Sequence, residues 1–446
     1  MSLQSQSAST QIGALDKTEN TKSANNNDAN EPSIFSLVRL KLAGKHFELT
    51  SRFGEEKATE EINQGELILA INEKLSIVNL TVKLTKANLR LWTYAFEFFD
   101  SAREKPIGDI KNLSAGQKAI VHLVFEAYGR GDIKGGVVII DEPELHLHPQ
   151  FQSLYLKVIK EVYEAQQCQF ILVTHSEYLI NSETITKIKR FYIDDQHFSN
   201  IISPSLSSSD KSLIRILDNT RSTHAFFSNK VVLVEGDYDR YFFRAAFEKL
   251  SPEIIHEISV LDIGGKGNYH EWRKLFEDFG LRVYIVCDFD NVFTLTFSGG
   301  TMISSTEKGR FENELKQGKL DNLDESEKQS LKRLHQDLLS DSEFINAPKR
   351  TPWKGLIDKF IGLVRVSNIE MTVKAKQEFP YIEESIQDKY FNQVYILKQG
   401  ALEVYLNLDK DLSSVINFCE NDLGDWLKAK NAMSEEIQFI IKDVSK

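Results

Sequence analysis

The sequence predicts an α/β protein built from two successive parallel-sheet modules. Three observations predict it. Residues 135–176 run strand, helix, strand, through "GGVVIIDEP", "HPQFQSLYLKVIKEVYEAQQ" and "CQFILVTHS", at the spacing of one βαβ unit. Residues 229–291 alternate strand and helix again, in "NKVVLVEGDYDRYFFRAAFEKL", "EISVLDIGGKGNYHEWRKLFEDFG" and "LRVYIVCDFDN". Between them the Ser-rich stretch "SPSLSSSDKS" (Ser203–Ser212) interrupts the order and marks a boundary.

The elements follow in order. Residues 1–32 are rich in Ser, Asn, Gln and Thr and are expected to be a disordered tail. From Ser33 to about Leu89, "IFSLVRLKL", "KHFELTSRF", "ELILAIN" and "LSIVNLTVKL" read as short alternating strands of a hairpin-rich antiparallel sheet. Trp92–Arg103, "WTYAFEFFDSAR", is expected to be helical. Asn112–Gly131 opens with Ser114 as a helix cap and Gln117 three residues later, the pattern of a capping box, and continues with helical apolar spacing. Two strands expected to be buried, "GGVVIIDEP" and "CQFILVTHS", then flank a helix. The second module ends in a charged, mostly helical stretch over about 301–386, followed by strand, turn and helix in "NQVYILKQGALEVYL". The expected limits are therefore a tail at 1–32, a first domain at 33–205 and a second at 206–446 with the helical insertion. The first domain should hold a mixed sheet, with antiparallel hairpins before parallel strands.

Composition narrows the function. The chain has 446 residues, 41% hydrophobic and 27% charged, enough for real cores. Its net charge of −11 excludes a general polyanion binder, so contact with nucleic acid requires local basic patches or metal ions. Cys168, Cys287 and Cys419 lie far apart and read as reduced packing residues, as expected of a cytoplasmic protein. No apolar run approaches a membrane span, and no signal peptide is visible.

The first chemical constellation is Asp141-Glu142 at the end of four apolar residues. A carboxylate at a strand's C-terminal end can hold nucleotide magnesium, and the next can polarise an attacking water. A strand ending at a solvated turn reads equally well from these residues alone. Upstream, "LSAGQ" (Leu113–Gln117) opens a helix, so Ser114, Gly116 and Gln117 could meet a γ-phosphate. Downstream, His175 sits at the end of "ILVTHS". The order of these three segments resembles the ABC-type ATPases, and "DEPELHLHP" resembles the branch containing the overcoming-lysogenisation-defect (OLD) ATPases. The resemblance makes His146 and His148 interface residues; a metal role for the pair is the alternative. A Walker A loop, G-x-x-x-x-G-K-[ST], does not occur, since Gly44-Lys45 lacks both the preceding Gly and the following Ser or Thr. Either a first segment is truncated or the loop has been lost, and ATP binding would then need a loop from another chain.

The second constellation is more specific. Glu235 follows the strand "VVLV", Asp239 comes four residues later, and Asp288 and Asp290 follow "VYIVC". Parallel strands deliver such ends to one edge. Carboxylates gathered there repel unless divalent cations neutralise them, and oxygen donors suit Mg²⁺, Mn²⁺ or Ca²⁺. Gly264-Gly265 forms a turn that lets backbone approach a phosphate, with Lys266 beside it. Asp262, just before that turn, is a weaker candidate ligand. Acidic strand ends in an ordinary doubly wound sheet are the plain alternative.

The set Glu235-Gly236, Gly turn, Asp288-x-Asp290 resembles the Toprim domain, and Glu235-Gly236-x-x-Asp239 resembles the form seen in OLD-family nucleases. That resemblance runs from about Leu113 to Leu406. It implies catalytic roles for Glu235, Asp288, Asp290 and Lys398, with Glu142 in the ATPase half. It implies metal ligation by Glu235, Asp239, Asp288, Asp290 and Glu403. It also implies two Mg²⁺ or Mn²⁺ ions, possible ATP, a DNA substrate, a homodimer through the ATPase half, and a role in phage defence with a further protein or nucleic-acid partner. For Lys398 and Glu403 a surface lysine and a helix-start glutamate remain the alternative. Arg310, Lys349 and Arg350 are possible phosphate contacts. A regulatory or scaffold subunit, whose ATPase half only dimerises or docks a partner, is the rival function.

Overall fold

The computed structural model describes residues 34–88, 93–129, 134–145, 147–193, 196–203, 222–296, 300–340, 362, 364–408 and 411–446. The expected tail and nearly all of the Ser-rich boundary lie outside the described residues. The chain divides into two compact units, one up to Ile180 and one from Asn181.

In the first unit three helices replace the strands expected early in the sequence: α1 (Ile34–Phe53), α2 (Glu55–Asn63) and α3 (Glu66–Leu75). The reason is which residues are buried. Ile34, Val38 and Leu42 recur every fourth residue, and Ile68, Ile71 and Leu75 follow helical spacing; all six are at most 5% exposed. A strand would have put Leu69 and Ile71 on one face, yet Leu69 is 54% exposed while Ile71 is fully buried.

Strand β1 (Leu80–Asn88) forms as expected, but β2 (Thr93–Asp100) stands where a helix was expected. Tyr94, Phe96 and Phe98 alternate inward and pair antiparallel with β1, and β3 (Lys105–Gly108) completes that sheet. Two helix asparagines satisfy the outer edge of β1. Asn63 Oδ1 accepts from Leu84 N (2.8 Å) and Asn72 Oδ1 accepts from Val82 N (2.7 Å), while their amide nitrogens donate to the same residues' carbonyls.

Helix α4 (Ala115–Gly129) precedes the βαβ unit: β4 (Val137–Asp141), α5 (Pro149–Gln166) and β5 (Gln169–Val173). β4 and β5 are parallel, with Asp141 level with Val173. Antiparallel strands thus precede parallel ones, and among the described residues they form separate sheets. The expectation that β4 and β5 are fully buried is corrected. Val138, Ile140, Phe170 and Leu172 pack on the helical core, whereas Val137, Ile139, Ile171 and Val173 face outward, 43–68% exposed.

The second unit opens with a hairpin, β6 (Arg190–Ile193) and β7 (Ser199–Ile202). The alternation expected next is present: β8 (Lys230–Val234), α6 (Asp237–Leu250), β9 (Ile258–Asp262), α7 (Tyr269–Asp278) and β10 (Arg282–Cys287). The insertion contains α8 (Ser305–Asp321), α9 (Glu325–Ser340), α10 (Asn368–Glu378) and α11 (Ile382–Asp388). The chain returns as β11 (Val394–Ile396) and α12 (Leu402–Leu406), then adds α13 (Leu412–Asn421), α14 (Leu423–Lys428) and α15 (Ala432–Ser445). The sheet is wholly parallel, in the order β11-β10-β8-β9. Apolar faces of α6, α12, α13, α14 and α15 build one core layer against it. Lys230 Nζ reaches the carbonyl of Val444 (2.9 Å), which ties α15 to the start of β8.

Cys168 and Cys287 are buried, Cys419 is half-buried, and all three are free thiols, consistent with packing roles. Among the described residues no helix is long and apolar enough to cross a membrane.

Candidate metal centre

Because the four strands are parallel, their C-terminal ends share one edge of the sheet. β8 runs into Glu235, β10 into Asp288, β9 ends on Asp262, and β11 leads through Leu397 to Lys398. One carboxylate oxygen from each of Glu235, Asp288 and Asp290 lies within 4.8 Å of the others. Asp288 is only 8% exposed. Burial pushes its carboxyl up to about 8, with Asp239, Glu235, Asp290 and Glu403 adding to the rise. Glu235, Asp239, Asp288, Asp290 and Glu403 therefore share one electrostatic neighbourhood. Tyr269, fully buried, donates from its hydroxyl to the carbonyl of Val286 (3.3 Å). Its hydroxyl is held neutral by burial and by the nearby Cys287, Asp239, Glu235 and Asp288.

The carboxylates are fixed by the backbone around them. Asn291, with no exposed surface, donates to the carbonyl of Asp288 (3.1 Å). Phe289 N donates to the carbonyl of Gly400 (3.1 Å) and Leu397 N to that of Cys287 (2.8 Å), so the Asp288–Asp290 turn and the Lys398 turn are held together. Asp239 Oδ2 accepts from Gly236 N (3.0 Å) and caps α6, which aims its carboxylate from the helix start. The donors are all hard oxygens, partly or fully withdrawn from water, and their mutual repulsion falls once a cation is bound. The residues present fit a divalent cation of the Mg²⁺, Mn²⁺ or Ca²⁺ kind.

Gly264 and Gly265 adopt φ of +65° and +116°, the region open to glycine, and a β-carbon at either position would meet nothing within 4 Å. Gly265 N donates to the carbonyl of Glu235 (3.2 Å), so this open turn adjoins the acids. The side chain of Lys266 lies outside the described residues.

Other candidates are placed differently. Asp262 pairs with Arg240 at 3.0 Å, with side chains 22% and 7% exposed, as a structural ion pair. Arg310 is engaged by Glu307, Glu314 and Glu378, joining α8 to α10. Lys349 and Arg350 lie outside the described residues. The backbone N of Lys398 donates to Glu436 Oε1 (3.1 Å), and its ammonium sits over the Tyr390 ring, 5.8 Å from the centroid. Glu436 also accepts from the Tyr405 hydroxyl, which in turn accepts from Gln399 N (3.0 Å). Burial above all pushes the Glu436 carboxyl up. Glu436, Tyr405 and Tyr269 were not foreseen, because each looks like an ordinary position on an amphipathic helix. Asn291 falls within "DFDN", but the sequence reading gave it no role.

In the first unit, Asp141 ends β4, and His175 lies in the turn just beyond Val173, the end of the adjacent parallel β5. Glu142 takes φ of +46°, uncommon for a residue with a side chain, and its N donates to Val173 O (2.8 Å). Glu144 accepts from Thr174 Oγ1 (2.7 Å) and His175 N (2.8 Å), binding the acidic turn to the histidine turn; the sequence reading did not single it out. Ser114 and Gln117 form the expected capping box, with Gln117 N donating to Ser114 Oγ (3.3 Å) and Ser114 N to Gln117 Oε1 (3.1 Å). A β-carbon on Gly116 would lie 2.5 Å from the Phe151 ring, so this glycine lets α4 approach α5. His148 caps α5 by accepting from Gln150 N (3.4 Å), and His146 lies outside the described residues.

Comparison with known proteins matches two families. Residues 226–290 match the model described as overcoming lysogenization defect protein-like, TOPRIM domain, and residues 3–180 match the AAA ATPase domain. The OLD nuclease of Thermus scotoductus is 33% identical over 34% of this chain and 30% of its own length. The Old nuclease of Escherichia phage P2 is 23% identical over 77% of this chain and 58% of its own. Endonuclease GajA of Bacillus cereus strain HuB5-5 is 23% identical over 53% of this chain and 38% of its own. The chain thus spans between 30% and 58% of the length of these relatives.

Proposed function

Because this chain belongs to the OLD family, with an AAA ATPase domain ahead of an OLD-like Toprim domain, we propose that it is a metal-dependent DNA endonuclease coupled to an ABC-type ATPase module. The observation that carries this reading is the convergence of Glu235, Asp288 and Asp290 within 4.8 Å on one sheet edge. Glu235, Asp239, Asp288 and Asp290 would hold two Mg²⁺ or Mn²⁺ ions, with Glu403 supporting the set. When bound, such ions supply water activation and stabilisation of the leaving oxygen in phosphodiester hydrolysis. The chain's own part is to bind and orient. Asp288 and its neighbours gather negative charge where water is scarce. The open Gly264-Gly265 turn admits a phosphate, and Lys266 beside it and Lys398 on the turn after β11 are the proposed basic contacts. The net charge of −11 is compatible with DNA, because cations reverse the local field.

For the ATPase half, Asp141, Glu142 and His175 are the proposed nucleotide contacts, and dimerisation or partner docking is its proposed role. Ser114, Gly116 and Gln117 already serve capping and packing, and the 446 residues contain no Walker A loop. A role in phage defence, in the cytoplasm and with a further partner, follows the family resemblance.

The test is supercoiled plasmid with Mg²⁺ or Mn²⁺, cut by wild type beside Glu235→Ala and Asp288→Ala. Wild type should nick or linearise the plasmid and both variants should leave it intact. An intact plasmid with wild type under both metals, or equal cutting by the variants, overturns the proposal.

A further inference from the structure

We propose that Asn368, the first residue of α10 in the helical insertion, positions Asp290 for cation binding without itself touching the cation. The inference rests on reading the acid cluster as a cation site. Asn368 Nδ2 donates to Asp290 Oδ2 at 3.0 Å, across 78 residues of sequence. On the other oxygen, Asn291 Nδ2 lies 3.5 Å from Asp290 Oδ1. One carboxylate is thus held between two amides. A carboxylate offers about four acceptor positions over its two oxygens, so two amide donors orient it and still leave capacity to ligate. The donor type matters as well. A lysine or arginine here would neutralise Asp290 and compete with a cation, whereas an amide fixes the carboxylate and adds no charge.

Helix α10 is anchored well enough to hold that position. Its start is a reciprocal capping box: Ser367 Oγ accepts from Glu370 N (3.2 Å) and Glu370 Oε2 accepts from Ser367 N (2.7 Å). Lys319 of α8 pairs with Glu370 (3.0 Å), and Lys374 pairs with Glu314 of α8 (2.8 Å). Met371, Thr372 and Ala375 are buried beneath it. Asn368, Thr372 and Lys376 share one helix face at i, i+4 and i+8. At the far end of that face, Lys376 Nζ donates to Gln399 Oε1 (3.1 Å) and pairs with Glu383 (2.6 Å). The same face therefore reaches from the Asp288–Asp290 turn to the turn that carries Lys398. Groups that orient metal ligands in this indirect way are worth roughly 10–100-fold in metal affinity. Asn368 is exposed, so the lower end of that range applies.

The experiment measures Mn²⁺ affinity by calorimetry on the metal-stripped full chain, for wild type, Asp288→Ala, Asn368→Ala and Ile369→Ala. Wild type should bind and Asp288→Ala should not. Asn368→Ala should bind about 10-fold more weakly with an unchanged thermal transition when metal-free. Ile369→Ala, an exposed neighbour on the same helix, should match wild type. Wild-type affinity in Asn368→Ala overturns the inference, and so does equal weakening in Ile369→Ala. A wild type that binds no Mn²⁺ fails at the earlier step and removes the cation reading together with this one.

Discussion

Asp262 and Asp288 reach the same sheet edge on either side of β8, and their neighbours give them opposite work. Asp262 faces the buried guanidinium of Arg240 at 3.0 Å, while Asp288 is buried among other carboxylates. Removing one partner of a buried pair leaves the other charge uncompensated, which costs about 3–5 kcal/mol. Asp262 keeps some solvent contact, so Asp262→Ala should lose about 3 kcal/mol, read as a lower urea midpoint of the metal-free chain. Asp288→Ala in the same assay should show no such loss, because it removes a carboxyl that is costly to bury and crowded by other acids. Equal stability of Asp262→Ala and wild type would show that Arg240 does not depend on this carboxylate. The contrast also separates a loss of stability, in Asp262→Ala, from a loss of the proposed cation site, in Asp288→Ala.

At the scale of elements, Gly116 shows how a motif residue can be structural. A methyl group there would overlap the Phe151 ring, so Gly116→Ala should force α4 away from α5 and cost about 1–3 kcal/mol. Urea unfolding checks it, and a variant as stable as wild type would leave Gly116 open to a purely ligand-binding role. Legibility of the elements follows from burial. In the second unit, β8 and β10 are covered on both faces and end abruptly in acids, so unbroken apolar runs such as "VVLV" and "VYIVC" identified them directly. Glu235, Asp288 and Asp290 were legible for the same reason: strand ends in a parallel sheet have only one edge to go to. In the first unit the apolar runs of β4 and β5 proved exposed on one face, and the element type was misread over two further stretches. Residues 34–75 carry apolar residues dense enough to satisfy both periods, and only burial of Ile68, Ile71 and Leu75 against exposure of Leu69 distinguishes helix from strand. Residues 93–100 alternate Tyr94, Phe96 and Phe98, and that alternation should have outweighed the length of the aromatic run. The long-range partners Asn368 and Glu436 could not be read at all, since nothing local links Asn368 to Asp290 or Glu436 to Lys398.

For the molecule as a whole, the two units carry different kinds of evidence. The first has the acidic turn, the capped helix and His175, but its capping and packing residues already have structural work and its sequence lacks the phosphate-cradling loop. The second gathers its acids at one sheet edge and withdraws Asp288 from water. With an overall charge of −11, the proposed DNA contact requires local basic patches or bound cations. The proposed nuclease function depends on a divalent cation at that edge. Crystals of the full chain soaked in Mn²⁺ and measured at the manganese absorption edge test it most directly. The expected result is an anomalous peak roughly 2.0–2.6 Å from carboxylate oxygens of Glu235, Asp288 and Asp290, as hard cations take with oxygen. No peak there, or a peak confined to Asp141 and Glu142, would contradict it.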